Sequence, residues 1–289
     1  MRLVLLDATY ELFRAYFGAP PRTSPDGREI GAVAGIAAST LALLREQEPL
    51  AIAAVTDTVV HSFRNELYEG YKTDTGVPPD LLEQFALAED ILEALGVTVW
   101  RMHEFEADDG IASGVARFID DAEQIILASP DKDLAQCVEG EHVVMLDRRR
   151  NIITDAKGVR EKFGIQPESI PDYLALVGDA ADGFPGLPGW GKKSAATLLA
   201  HYLHLEEIPK SHDAWEVPVR GASRLAKVLH EGQTEAALFK LLATLRRDAP
   251  IEQSFADLEW LGVPRAPWLA LCQELGLNDL RSRPHQWLD

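Results

Sequence analysis

Short apolar runs that lead into carboxylates constrain this chain more than any other feature. Leu3 to Leu6 meets Asp7, and Ala51 to Val55 is followed, after one threonine, by Asp57. Val97 to Trp100 leads within a few residues to Glu106, Asp108 and Asp109. Gln124 to Ala128 leads through Ser129-Pro130 to Asp131 and Asp133, and a fifth run spans His142 to Leu146. Helical patterns lie between them, notably Ala32 to Leu44, Pro79 to Leu95 and Ala107 to Phe118. Strand-length runs spaced by helices predict a mostly parallel α/β sheet. Ligands of such sheets gather outside the carboxyl ends of the strands, so these seven acids are expected to converge on one cleft.

After about Asn151 the strand pattern fades. Ser169 to Val177, Lys192 to Leu203, Ser223 to Leu229 and Thr234 to Leu245 read as helices. The expected organisation is an α/β part over residues 1–165 and an all-helical part over 166–289. A chain of 289 residues with 46% hydrophobic content can bury a full core. No stretch reaches the roughly 18 apolar residues of a membrane span, and the N-terminus lacks the pattern of a signal peptide. Two distant cysteines, Cys137 and Cys272, suit buried thiols in a reducing cytoplasm rather than a zinc site.

Net charge is −18. Nucleic-acid binders are usually basic, because neutralising phosphate supplies much of their affinity. Two bound divalent cations would bring the balance only from −18 to −14. A nucleic-acid partner therefore requires the remaining acid to lie on other faces, since local field matters more than total charge.

Clustered carboxylates repel and raise one another's pKa. Divalent metal resolves that conflict, and all-oxygen ligands select Mg²⁺ or Mn²⁺. Two such ions about 4 Å apart can clamp the attacking and leaving oxygens of a phosphodiester. The competing reading is helix capping, which suits any single Asp here. It does not account for two or three acids at each of two helix starts. No EF-hand spacing supports calcium.

Residues 172–199 carry the strongest local signal. Asp179 and Asp182 are three apart, so a helical turn would point both toward the metal cluster. A Pro-Gly-rich hairpin follows, then a helix opening at Gly191-Lys192-Lys193-Ser194. Glycines such as Gly186, Gly189 and Gly191 would let backbone N–H groups approach phosphate, and a helix N-terminus favours an anion. The segment reads as a helix-hairpin-helix phosphate clamp blind to base sequence.

Together these motifs resemble the structure-specific 5′ nucleases, namely flap endonucleases and the 5′→3′ exonuclease domain of bacterial DNA polymerase I. Six motifs occur in that family's order: Leu-Leu-Asp7; Asp57 with Phe63-Arg64 through Tyr71-Lys72; Glu106-Ala-Asp108-Asp109; Asp131-Lys-Asp133-Leu; Gly178-Asp179-Ala-Ala-Asp182; and Pro188-Gly189-Trp190-Gly191-Lys192-Lys193. The resemblance covers nearly the whole chain and implies a PIN-like core, a parallel sheet flanked by helices, with the helix-hairpin-helix clamp over about 172–202. It implies two Mg²⁺ or Mn²⁺ ions held by Asp7, Asp57, Glu106, Asp108, Asp109, Asp131, Asp133, Asp179 and Asp182. It places Arg64 and Lys72 in a helical arch over about 60–85, where they position the scissile phosphate. It also implies a monovalent cation, often K⁺, near Gly189 and Gly191. The implied substrate is DNA with 5′ ends, flaps or single/double-strand junctions. A monomeric cytoplasmic enzyme is expected, a stand-alone member because no polymerase follows Asp289, with a separate DNA polymerase among its partners.

The chain departs from the family pattern in three places. Ala8 replaces the glycine usual after the first acid, Thr73-Asp74-Thr75-Gly76 offers no further base after Lys72, and Ser129-Pro130 precedes Asp131. The competing functional readings are a catalytically silent DNA-junction binder and a ribonuclease of related acidic fold. Arg148-Arg149-Arg150 reads as the exposed tip of a hairpin more than as a DNA contact, and Trp190 as a packing residue.

Overall fold

The computed structural model describes residues 1–289. Eight strands run in chain order as β1 (Arg2–Asp7), β2 (Ala51–Asp57), β3 (Thr98–Met102), β4 (Gln124–Ala128), β5 (Val143–Asp147), β6 (Ile152–Thr154), β7 (Val263–Pro264) and β8 (Trp287–Leu288). The α-helices are α1 (Ala8–Gly18), α2 (Gly31–Gln47), α3 (Phe63–Leu67), α4 (Pro79–Leu82), α5 (Phe85–Ala94) and α6 (Ala107–Phe118), then α7 (Ala156–Phe163), α8 (Ile170–Val177), α9 (Lys192–Tyr202), α10 (Ala222–Glu231), α11 (Gln233–Ala243) and α12 (Arg265–Glu274). None is long and apolar enough to cross a membrane. The chain divides into two compact units, Met1–Val60 with Asp74–Ser129 and Arg247–Asp289, and His61–Thr73 with Pro130–Arg246.

In the first unit four strands pair in parallel in the order β3-β2-β1-β4. Leu3, Val4, Leu5 and Leu6 are all fully buried, as expected of a parallel strand covered on both faces. The run expected as one helix from Pro79 to Leu95 is two, α4 and α5, and the break falls at Glu83-Gln84. Gln84 explains it. Its buried Oε1 accepts the N–H groups of Ala32 and Val33, and its Nε2 donates to Asp80 O. That amide satisfies the first turn of α2, which has no side-chain cap of its own.

The C-terminal part is helical, as expected, apart from the two-residue strands β7 and β8. Residues 247–289 group with the sheet, not with the clamp, and β7 and β8 pair in parallel. Trp260 anchors this segment, donating from its indole N–H to Leu95 O at 3.0 Å. Trp100, Trp190, Trp260 and Trp268 are buried, as are both free cysteines. Burial pushes the Cys272 thiol up to about 11.

In the second unit β5 and β6 form the expected antiparallel hairpin, with Arg148–Asn151 at its tip. Helix α8 packs against α9 and α11. The carboxylate of Asp172, fully buried on α8, receives Lys240 Nζ at 2.7 Å, His204 Nδ1 at 3.0 Å and the Leu205 N–H at 3.0 Å. Each carboxylate oxygen is thereby paired, the condition for burying such a charge.

The units differ sharply in charge. The first carries 11 Lys and Arg against 27 Asp and Glu, a net of −16. The second carries 17 against 19, a net of −2, and holds all nine lysines. The acidic excess that opposes a nucleic-acid partner is therefore concentrated in one unit.

Candidate active site

Five of the expected site acids lie along the carboxyl edge of the parallel sheet. Asp7 ends β1 and caps α1, its Oδ1 accepting the Tyr10 N–H at 2.8 Å. Asp57 ends β2 and accepts the Ala107 N–H, at the start of α6, at 2.6 Å. Glu106 is the N-cap of α6, and Asp109 closes a capping box with it, accepting the Glu106 N–H at 3.0 Å. Capping is thus realised at four of the five, with Asp108 on the first turn as the exception. Capping does not exhaust these groups, because a carboxylate has about four lone-pair sites. Asp109 differs from the rest. It is fully buried, which suits holding Glu106 in place more than facing an ion. Two positioning groups escaped the sequence reading. Ser129 Oγ donates to Asp7 Oδ2 at 2.8 Å, and Thr9 Oγ1 accepts the Asp57 N–H at 2.7 Å. Their signal was present, since each hydroxyl sits one or two residues beyond a strand end.

The second unit holds the other four acids. Asp133, Asp179 and Asp182 are only 7%, 4% and 8% exposed, yet each offers an oxygen within 4.8 Å of the others'. Asp131 Oδ1 accepts the Asp133 N–H at 3.0 Å. Asp179 and Asp182 do not share a helical turn, contrary to expectation. Helix α8 stops at Val177, and Gly178 at φ +82° turns the chain into a loop closed by the Asp179–Phe184 bridge. Burial pushes the Asp133 carboxyl well above the usual carboxylate range; Asp131, Asp182 and Asp179 add to the rise, and Lys132 opposes it. Asp133 Oδ1 is buried and makes no hydrogen bond. Buried oxygens of this kind call for a partner, and an all-carboxylate set suits a hard divalent cation.

Two lysines face this cluster. Lys72 Nζ lies 3.0 Å from Asp182 Oδ1, and the Lys72 N–H donates to Asp182 O. Lys132 Nζ contacts Asp179 Oδ2 and lies 3.5 Å from Asp133 Oδ1. Burial works against the Lys132 charge, but Asp133, Asp179 and Asp131 outweigh it and raise its pKa. Lys132 is absent from the residues expected above, although a base between Asp131 and Asp133 is a usable signal.

Arg64 departs from its expected place. Residues 60–85 form no continuous helical arch; α3 and α4 are separate short helices, and 61–73 belongs to the second unit while 74 onward belongs to the first. Arg64 is 1% exposed, with Nε donating to Leu242 O at 2.8 Å and Nη2 to Thr244 O at 3.2 Å. A guanidinium so engaged reaches a phosphate only by giving up those carbonyls.

The helix-hairpin-helix is present as α8, the loop 178–191 and α9. Gly186, at φ +69°, serves the hairpin itself: a Cβ there would sit 2.3 Å from Gly178 N and 2.7 Å from Leu176 O. Gly186→Ala is expected to destabilise the protein by about 3 kcal/mol, combining left-handed strain with backbone overlap; the urea midpoint measures it. Gly189 lies beside the Arg224 guanidinium, whereas the space before Gly191, the N-cap of α9, is open. Lys192 and Lys193 are exposed on the first turn, followed by half-buried Ser194.

Comparison with known proteins agrees with this arrangement. Residues 2–164 match the 5′-3′ exonuclease N-terminal resolvase-like domain, and residues 165–265 match the 5′-3′ exonuclease C-terminal SAM fold. The 5′-3′ exonuclease of Aquifex aeolicus is 32% identical over 258 residues, covering 89% of this chain and 86% of that protein. DNA polymerase I of Bacillus caldotenax is 34% identical over 283 residues, 96% of this chain but 32% of the polymerase. The chain thus spans about a third of the length of the polymerases it matches. Among solved structures, the T5 5′-exonuclease with zinc bound has the same fold, with a TM-score of 0.69 at 17% identity over 85% of this chain and 90% of that one. The fold and site define a nuclease of mostly parallel α/β architecture with a helical clamp. The chain belongs to the 5′-3′ exonuclease family.

Proposed function

We propose that this chain is a structure-specific 5′ nuclease that hydrolyses DNA phosphodiester bonds with two divalent ions, Mg²⁺ or Mn²⁺. The observation that carries this reading is the gathering of Asp133, Asp179 and Asp182, near-buried and within 4.8 Å of one another, in a chain whose sheet edge bears five further carboxylates. When bound, such ions supply a water of lowered pKa and a charge clamp for the attacking and leaving oxygens. The proposed ligands are Asp7, Asp57, Glu106, Asp108, Asp131, Asp133, Asp179 and Asp182. Asp109 is a positioning residue that orients Glu106. Lys72 steadies charge on the scissile phosphate, an electrostatic contribution. Arg64 acts by shaping the segment that carries Lys72. The N-terminus of α9, with Lys192, Lys193 and Ser194, grips a strand backbone. Backbone carbonyls near Gly189 and Gly191 hold K⁺.

The proposed substrates are 5′ ends, flaps and junctions of DNA, cut by a monomer whose partner in the cell is a DNA polymerase. The test uses one flap in DNA and RNA versions, 5′-labelled, incubated with Mg²⁺ or with EDTA. Cleavage is expected only for DNA and only with Mg²⁺. Binding without cleavage in saturating Mg²⁺ would identify a junction binder, and preferential cutting of the RNA flap a ribonuclease.

A further inference from the structure

Lys132 is the group whose placement asks most for a function. Its ammonium touches Asp179 and lies 3.5 Å from Asp133 Oδ1. Those carboxylates are two of the three whose oxygens lie within 4.8 Å of one another. Its neighbour in this role, Lys72, takes the third, Asp182, at 3.0 Å. Asp133 Oδ1 has no hydrogen bond to compete for it. The ammonium and a divalent ion therefore claim the same carboxylates. A lysine carries one charge on a flexible stem; it can approach two carboxylates loosely, whereas a divalent ion satisfies several at close range.

We propose that Lys132 is a tethered counter-ion: it holds Asp133 and Asp179 in ligand geometry, competes with the divalent metal for them, and withdraws when the metal enters. The proposal rests on the reading that these acids bind metal. It makes Lys132 a positioning residue that sets how tightly the site takes its ion. Lys72 is released from Asp182 by the same exchange, so metal loading frees an ammonium for phosphate.

Mn²⁺ affinity of the full chain, read by calorimetry or by loss of the free-ion electron spin resonance signal, tests this without reference to cleavage. Lys132→Met is expected to bind Mn²⁺ about tenfold more tightly, the scale of one partly buried charge pair. Lys132→Arg, which keeps the charge, should return toward the parent value. Lys157→Met, at an exposed lysine of α7 paired only with Glu161, should change nothing. A second measurement needs no variant: an amine-reactive probe read by mass spectrometry should label Lys132 severalfold faster in Mn²⁺ than in EDTA, while Lys157 keeps one rate. Equal or weaker Mn²⁺ binding by Lys132→Met, or labelling of Lys132 that metal leaves unchanged or slows, overturns the proposal. Absence of Mn²⁺ binding by the parent would instead overturn the metal reading itself.

Discussion

Asp133→Asn is expected to cut cleavage by about 10³-fold, a loss of ~4 kcal/mol of transition-state stabilisation, while raising the stability of the protein in EDTA. Both effects share one cause. Asp133 is buried among Asp131, Asp179 and Asp182, so its charge serves only if a cation balances it. Without metal the native state binds the Asp133 proton more tightly than the unfolded chain does. Stability then falls as pH rises from the ordinary aspartate value, about 3.9, through the raised native value. Asn has no such proton, so the advantage of Asp133→Asn in EDTA should grow over that window and level off above it. Mg²⁺ should reverse the order, because binding to the native state stabilises the parent by mass action. Urea titrations across the acidic range, with EDTA and with Mg²⁺, measure both. DNA affinity should change little, since a metal ligand is not a strand contact. A parent whose EDTA stability matches that of the variant at every pH would show that no conflict is stored in the cluster.

Arg64→Ala is expected to destabilise the fold by about 3–5 kcal/mol, whatever it does to cleavage. The guanidinium fills buried space, lies 4.7 Å from the Phe63 ring centroid and bonds the carbonyls of Leu242 and Thr244 at the end of α11. Alanine leaves those carbonyls unpaired and a cavity beside them. Arg64→Met restores volume but no donors and should recover only part of the loss. If Arg64 served the phosphate alone, Arg64→Ala would keep its melting temperature and lose only turnover.

The readable parts of this chain were those whose partners are set by a short-range rule. Asp7 and Asp57 could be placed because a parallel strand that ends at an acid puts that acid on the carboxyl edge, whichever strand is its neighbour. The β5–β6 hairpin around Arg148–Arg150 was legible for the same reason. What failed depended on distant partners. Gln84 splits a periodic helix because its amide is spent on α2, some 50 residues earlier. Arg64 looks like a surface base, yet its acceptor, Leu242, lies 178 residues on. Residues 247–289 read as a continuation of the helical part, and only contacts such as Trp260 with Leu95 assign them to the sheet unit. Asp179 and Asp182 were paired for the wrong reason, a helical turn, where Gly178 makes a loop that still brings their oxygens together. The net charge read as one sum hid its uneven division into units of −16 and −2.

The stoichiometry of divalent ion per chain tests two-ion binding by these acids most directly. Mn²⁺ titrated into this chain should fill two sites, and the double variant Asp179→Asn/Asp182→Asn should retain one, with cleavage lost in step. A parent that takes up no Mn²⁺, or a double variant that binds as many ions as the parent, would contradict it.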